Sequence, residues 1–110
     1  MSNPIVHIDV AGPDEEAQRR FYAELFGWTV APQGPGYALV STPDGSPDGA
    51  LVQADSGSVT FGVAVADLDA AVAQASRLGG GVVMPPTDNG WVVKAQVRDP
   101  AGNLVTLIQS

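Results

Sequence analysis

Asp99-Pro100-Ala101-Gly102-Asn103, running into Leu104-Val105-Thr106-Leu107-Ile108-Gln109, is the stretch whose reading decides the fold. The first five residues predict a turn: Pro fixes φ, Gly allows φ > 0, and Asp and Asn side chains bond to nearby backbone. The apolar, β-branched run behind them predicts a strand. A fainter version lies upstream, where Pro43-Asp44-Gly45 precedes Ala50-Leu51-Val52-Gln53. Leu51-Val52-Gln53 and Leu107-Ile108-Gln109 differ by one conservative change and stand 56 positions apart, from 53 to 109. The chain reads as one built twice.

Working outward, each half repeats the order strand, helix, strand, strand, strand. In the first half Ile5, His7 and Asp9 alternate with Val6, Ile8 and Val10. The aliphatic set should face a core, leaving His7 and Asp9 on a second, more polar face. Asp14, Glu15 and Glu16 favour a helix start, where the dipole prefers anions. Ala17, Phe21 and Leu25, with Tyr22 beside them, predict a buried helical stripe, and Gly27 a stop. Trp28–Ala31, Tyr37–Thr42 and Ala50–Gln53 follow as strands.

After Asp55-Ser56-Gly57 the order restarts with alternating Val59, Phe61, Val63 and Val65. Asp67 is placed to cap a second helix with Leu68, Ala71, Val72, Ala75 and Leu78 as its apolar stripe, and Gly79-Gly80-Gly81 ends it. Val82–Met84 predicts a strand, Pro85–Gly90 a loop, and Trp91–Arg98 a longer strand. At an offset of 53, His7 falls on Thr60, Asp14 on Asp67 and Leu25 on Leu78. The expectation is one α+β domain over residues 1–110, made of two βαβββ modules at about 4–55 and 57–110. A lone βαβββ unit leaves one sheet face bare, so the halves should share a sheet-lined cavity.

Composition bounds the function. The 110 residues carry 45% hydrophobic and 15% charged residues, enough for a real core and far from a disordered chain. No cysteine is present, which excludes disulfides, thiolate catalysis and Cys-ligated metals. No apolar run reaches membrane length and no basic segment precedes an apolar one at the start, so the expected location is cytoplasmic. The net charge is −7 with five Lys and Arg. Such an acidic surface opposes nucleic acid and anionic membrane and keeps a protein soluble, with a weak preference for a cationic ligand.

Phe21-Tyr22 with Leu25-Phe26-Gly27-Trp28, Asp67-Leu68-Asp69-Ala70-Ala71, and Asp99-Pro100-Ala101-Gly102-Asn103-Leu104 make the chain resemble the vicinal oxygen chelate superfamily. That group includes glyoxalase I, extradiol dioxygenases, methylmalonyl-CoA epimerase, fosfomycin-modifying enzymes, and bleomycin and mitomycin resistance proteins. The resemblance covers the whole chain and is closest to small glyoxalase-like proteins. It implies a fold more than an activity, because one scaffold hosts many sites. It also implies a dimer, and a homodimer is expected on general grounds.

In metal-dependent members the ligands lie in the first and fourth strands of each module. Carried over by resemblance, those positions are His7, Gln53, Thr60 and Gln109, where the enzymes hold His and Glu. One imidazole, two neutral amides and a hydroxyl offer a divalent ion little charge compensation. No metal and no other cofactor is therefore expected. Asp9 stands two residues from His7, on the same strand face, and could be recruited.

His7 is the sole histidine. With Asp9 it is the candidate catalytic pair, as a base and its neighbour, or else a hydrogen-bonded structural group. Lys94 and Gln96 share a strand face. Trp28 reads as core, whereas Trp91 is a candidate platform for a ligand. The resulting expectation is metal-independent small-molecule binding, of antibiotic or metabolite sequestration type. Its ligand face would carry His7, Asp9, Tyr37, Gln53, Thr60, Trp91 and Gln109. The competing readings are a metal-dependent lyase, isomerase or dioxygenase of glyoxalase type, a metal-free isomerase or cyclase using His7 or Asp9, and an interaction domain with a self-filled cavity.

Overall fold

A computed structural model describes residues 3–44 and 46–110. It contains β1 (Ile5–Gly12), α1 (Glu15–Phe26), β2 (Thr29–Gly34), β3 (Tyr37–Ser41), β4 (Asp48–Gln53), β5 (Ser58–Val65), α2 (Leu68–Arg77), β6 (Gly81–Asp88), β7 (Val93–Arg98) and β8 (Leu104–Gln109). The α+β class and the doubled order of elements are those expected from the sequence. The chain divides into two compact units, one of residues 7–60 and the other of residues 61–110 with the stretch up to Val6. Among the described residues no helix is long and apolar enough to cross a membrane.

In the first unit the strands lie in the order β2-β3-β4-β1, with β1 parallel to β4 and the other pairs antiparallel. The strand pleat sends Val10, Val30, Ala38, Val40 and Leu51 toward Tyr22 of α1 and Trp28 just beyond it, forming one core. Tyr22 and Trp28 stack with ring centroids 5.4 Å apart, so Trp28 packs in that core as its position suggested. Burying Leu51, 1% exposed, contributes about 2 kcal/mol.

Helix α1 begins at Asp14, whose carboxylate accepts from the Ala17 N–H at 3.1 Å, and ends at Gly27 in the left-handed conformation. The stripe Ala17-Phe21-Leu25 is not its buried face. Phe21 and Leu25 are 53% and 59% exposed. The inward positions are Glu15, Gln18, Arg19, Tyr22 and Ala23, which follow helical spacing equally well. Apolar periodicity misplaced the helix by about 100° because the true inner face starts with a charged pair.

The second unit repeats the arrangement as β5-β8-β7-β6, with β5 parallel to β8. Asp67 caps α2 as expected, accepting from the Ala70 N–H. Leu68, Ala71, Val72 and Ala75 pack on Val65, Ala95, Val97 and Leu107, while Leu78 lies beyond the last helical turn and is exposed. Gly80 is required by packing, since a Cβ there would stand 2.3 Å from the Arg98 carbonyl oxygen.

Two boundaries differ from expectation. Strand β6 continues through Pro85-Pro86 to Asp88, where a loop was expected; it is the outer strand, and its register with β7 breaks between Met84 and Thr87, so the two prolines sit in an irregularity where no ladder bond is asked of them. Strand β7 starts at Val93, because the Asn89 side chain gathers the N–H groups of Trp91 and Val92 into a turn.

The Asp99–Asn103 turn forms as read. Asp99 accepts from the Ala101 and Asn103 N–H groups and from the Asn103 amide, and Gly102 has φ 92°. The hydrogen bond from the Asn103 side chain, followed by the backbone bonds, holds the Asp99 carboxyl below the usual value. Upstream, the Ser46 N–H donates to the Pro43 carbonyl at 3.0 Å, while Gly45 of the expected turn lies outside the described residues.

Candidate functional site

On β1, the side chains that alternate with the core-facing Ile8 and Val10 are His7 and Asp9. His7 Nε2 and Asp9 Oδ1 are 2.8 Å apart, both side chains about one-third exposed. A carboxylate on one ring nitrogen holds an imidazole in a defined orientation and tautomer. Register across β4 and β3 gives this face its other members. Asp9 stands opposite Ala50, and Ala50 opposite Leu39; Ala11 stands opposite Val52, and Val52 opposite Tyr37. Tyr37, 41% exposed, therefore shares the strand face of His7.

Tyr37 is positioned by a network the sequence reading did not anticipate. Glu15, 1% exposed, takes a two-pronged ion pair from Arg19, with both N–O distances 2.6 Å. Arg19 Nη2 also donates to the carbonyls of Gly34 at 2.9 Å and Tyr37 at 3.4 Å, tying the β2–β3 turn to α1. Hydrogen bonding to Glu15 raises the Arg19 pKa from its usual value, opposed by desolvation and helped by the charges of Glu15 and Glu16. The signal for this pair was its i, i+4 spacing.

Gln53 and Gln109 do not join His7. Each is two residues beyond a core leucine, Leu51 or Leu107, so the pleat turns both toward their helices. Gln53 Oε1 accepts the Glu15 N–H at 3.0 Å, and its amide donates to the Pro13 carbonyl. Gln109 does the same one module later: Oε1 accepts the Leu68 N–H at 2.9 Å, and Nε2 donates to the Ala66 carbonyl at 2.6 Å. Both amides satisfy backbone groups that a helix start leaves without intrahelical partners. The tripeptide echo in the sequence is thus a repeated helix clamp. At the same 56-residue offset, Ala50 and Thr106, like Val52 and Ile108, face away from the helices.

Thr60 is buried on β5. Trp91 is 92% exposed at the tip between β6 and β7, so it packs against none of the other candidates. Lys94 and Gln96 do share a face, standing opposite Ile108 and Thr106 of β8.

The donor set that the superfamily resemblance implies for a divalent ion does not fit this chain. Two of its four members are turned onto the helix starts, and a third is a hydroxyl. Among the described residues no three His, Cys, Asp or Glu side chains gather as a metal centre would require.

Residues 5–108 match the Glyoxalase-like domain family. The chain is 31% identical over 116 aligned positions to the Mycobacterium tuberculosis protein named "Putative glyoxylase CFP32", and covers 94% of itself but 44% of that protein. It therefore spans less than half the length of this curated relative. Its fold is similar to a glyoxalase/bleomycin resistance protein/dioxygenase superfamily member from Vibrio splendidus, with TM-score 0.75 at 19% identity over 99% and 100% of the two chains. It is similar to the Mn(II)-bound glyoxalase from Novosphingobium aromaticivorans, with TM-score 0.75 at 18% identity over 98% of this chain and 40% of that one. Methylmalonyl-CoA epimerase from Mycobacterium tuberculosis gives TM-score 0.73 at 17% identity over 96% and 86%. Family match, doubled strand order and shared fold together make this chain a member of the Glyoxalase-like domain family, within the vicinal oxygen chelate superfamily.

Proposed function

We propose that this protein binds a small molecule without a metal ion, on the sheet face that carries His7, Asp9 and Tyr37, as an antibiotic- or metabolite-sequestering member of its superfamily. The observation that supports this reading is the engagement of Gln53 and Gln109 at the helix starts. A Lewis-acid site needs strong donors that converge on one point. Here the positions that supply them elsewhere do a different job. The face instead offers an imidazole bonded to a carboxylate, a phenol, and the apolar Leu39 and Val52, a mixture suited to orienting a ligand through a few polar contacts. The net charge of −7 favours a neutral or cationic ligand over an anion. A homodimer in the cytoplasm belongs to the same reading, a two-fold dimer being the commonest oligomer.

The test is a ligand-observed screen of neutral and cationic small molecules, run in excess chelator. Binding that survives the chelator and is lost in His7→Ala and in Tyr37→Ala supports the reading. Binding that requires added metal overturns it. The His7–Asp9 hydrogen bond favours one second reading, a metal-free isomerase in which this pair moves a proton at a carbon acid. Turnover of such a substrate in chelator, with a pH–rate profile abolished in His7→Ala, would separate an enzyme from a binding protein.

A further inference from the structure

The opposite face of the same unit carries a feature that the proposed function does not use. Beside the C-terminal end of α1 lies a half-open cavity of about 210 Å³. Ile8, Val40, Leu51 and Gly49 form its floor, Tyr22 and Trp28 one wall, and Val59 its rim. Ile8 and His7 are neighbours in β1 and point to opposite faces, so this cavity is separate from the His7 face.

The sequence leaves the cavity open for a physical reason. Gly49 pairs with Ile8 across β1 and β4, and a Cβ at that position would stand 2.1 Å from the Ile8 carbonyl oxygen. Close approach of the two backbones thus forbids a side chain on this part of the floor. The polar group at the edge is already satisfied, the Thr42 hydroxyl donating to the Pro47 carbonyl at 2.8 Å. Among the described residues no charged side chain lines the cavity. A charged or strongly polar guest would lose its hydration with nothing in return, whereas an apolar one loses only unfavourable contact with water. In size the cavity exceeds the roughly 150 Å³ apolar cavity that suffices to hold benzene.

We infer that this cavity is a binding site for a small uncharged aromatic molecule, about one substituted ring in size, seated against the Tyr22–Trp28 stack. With their planes 7° apart the two rings cover one face of each other, so a guest meets their edges or the outer face left open, where an aromatic guest adds an edge or offset contact.

Trp28 is a built-in reporter. The chain has two tryptophans, and the other, Trp91, is exposed, so Trp91→Phe leaves Trp28 as the only one without disturbing a core. Toluene titrated into this variant should change Trp28 emission saturably and shift the methyl resonances of Ile8, Val40 and Leu51. Benzoate and benzylamine, of similar shape but charged, should bind at least about tenfold more weakly. Ile8→Phe, which fills the floor, should cost toluene at least the same factor. Val59→Phe, on the exposed rim, should do likewise and keeps the test alive if the floor variant does not fold. No saturable change with toluene overturns the inference, as does equal binding by toluene and benzoate. Methyl shifts that follow protein concentration with no guest present also overturn it, since a second copy of the chain would then occupy the cavity.

Discussion

Replacing Gln109 by Leu tests the reading of the two glutamines as helix clamps. The change keeps the side chain's size but removes the acceptor for the Leu68 N–H at 2.9 Å and the donor to the Ala66 carbonyl at 2.6 Å. Leu68 is 2% exposed, so its N–H would be stranded away from water, whereas Ala66 is exposed and its carbonyl can be hydrated. A net hydrogen bond is worth about 1 kcal/mol, and a stranded buried donor about 1–3 kcal/mol. The expected loss is therefore about 2 kcal/mol. With about 2.1 cal/mol/K of unfolding entropy per residue over 110 residues, that lowers Tm by about 9 °C. Gln109→Glu keeps the acceptor and puts negative charge at a helix start, which the dipole favours, but loses the donor. Its second oxygen would face the Ala66 carbonyl where the amide now donates, so it should recover at most about half of the loss. Thermal and urea unfolding followed by circular dichroism measure both variants. An unchanged Tm in Gln109→Leu would refute the clamp, and so would a gain of metal affinity in Gln109→Glu.

Gln53→Leu should give a loss of about the same size, since Gln53 bonds to the start of α1 in the same way. Leu51→Ala should cost about 3 kcal/mol in urea unfolding, whereas Leu25→Ser on the exposed stripe should change stability by less than about 0.5 kcal/mol. Glu24→Ala breaks a solvent-exposed pair with Arg20 and should change stability by at most about 0.5 kcal/mol, whereas Glu15→Ala, which strips the buried partner from Arg19, should lower the urea midpoint much further. The Asp99 carboxyl has a lowered pKa in the folded state, so its contribution is present above the ordinary carboxylate pKa and lost as pH falls through the folded value. Asp99→Asn should therefore flatten the acid limb of the stability–pH curve, measured as urea midpoints between pH 5 and pH 2.5 (about one to two pH units either side of the ordinary carboxylate value).

The fold was legible because its signals are local. Asp14 and Asp67 cap their helices, Gly27 ends one, and Asp99–Asn103 folds through its own side chains, so each is decided within a few residues. The inner face of α1 was not legible. Two apolar-compatible stripes exist on that helix, and the buried one is anchored by Glu15 and Arg19, whose pairing with the β2–β3 turn depends on residues far along the chain. The same holds for β6 running through two prolines, which its outer position and the broken register between Met84 and Thr87 allow. At the site, strand alternation placed His7 and Asp9 together on one face. That rule, applied to Leu51 and Leu107, also turns Gln53 and Gln109 toward the helices. Matching glutamines to ligand positions by resemblance overrode a period-2 argument that the sequence already contained.

Metal content tests the central claim most directly. Untagged protein purified without chelator, and the same protein after incubation with manganese, nickel, zinc or iron, would be measured by elemental analysis beside His7→Ala. The account predicts background metal in every sample and no difference between wild type and variant. Near-stoichiometric metal in the wild type that disappears in His7→Ala would contradict it.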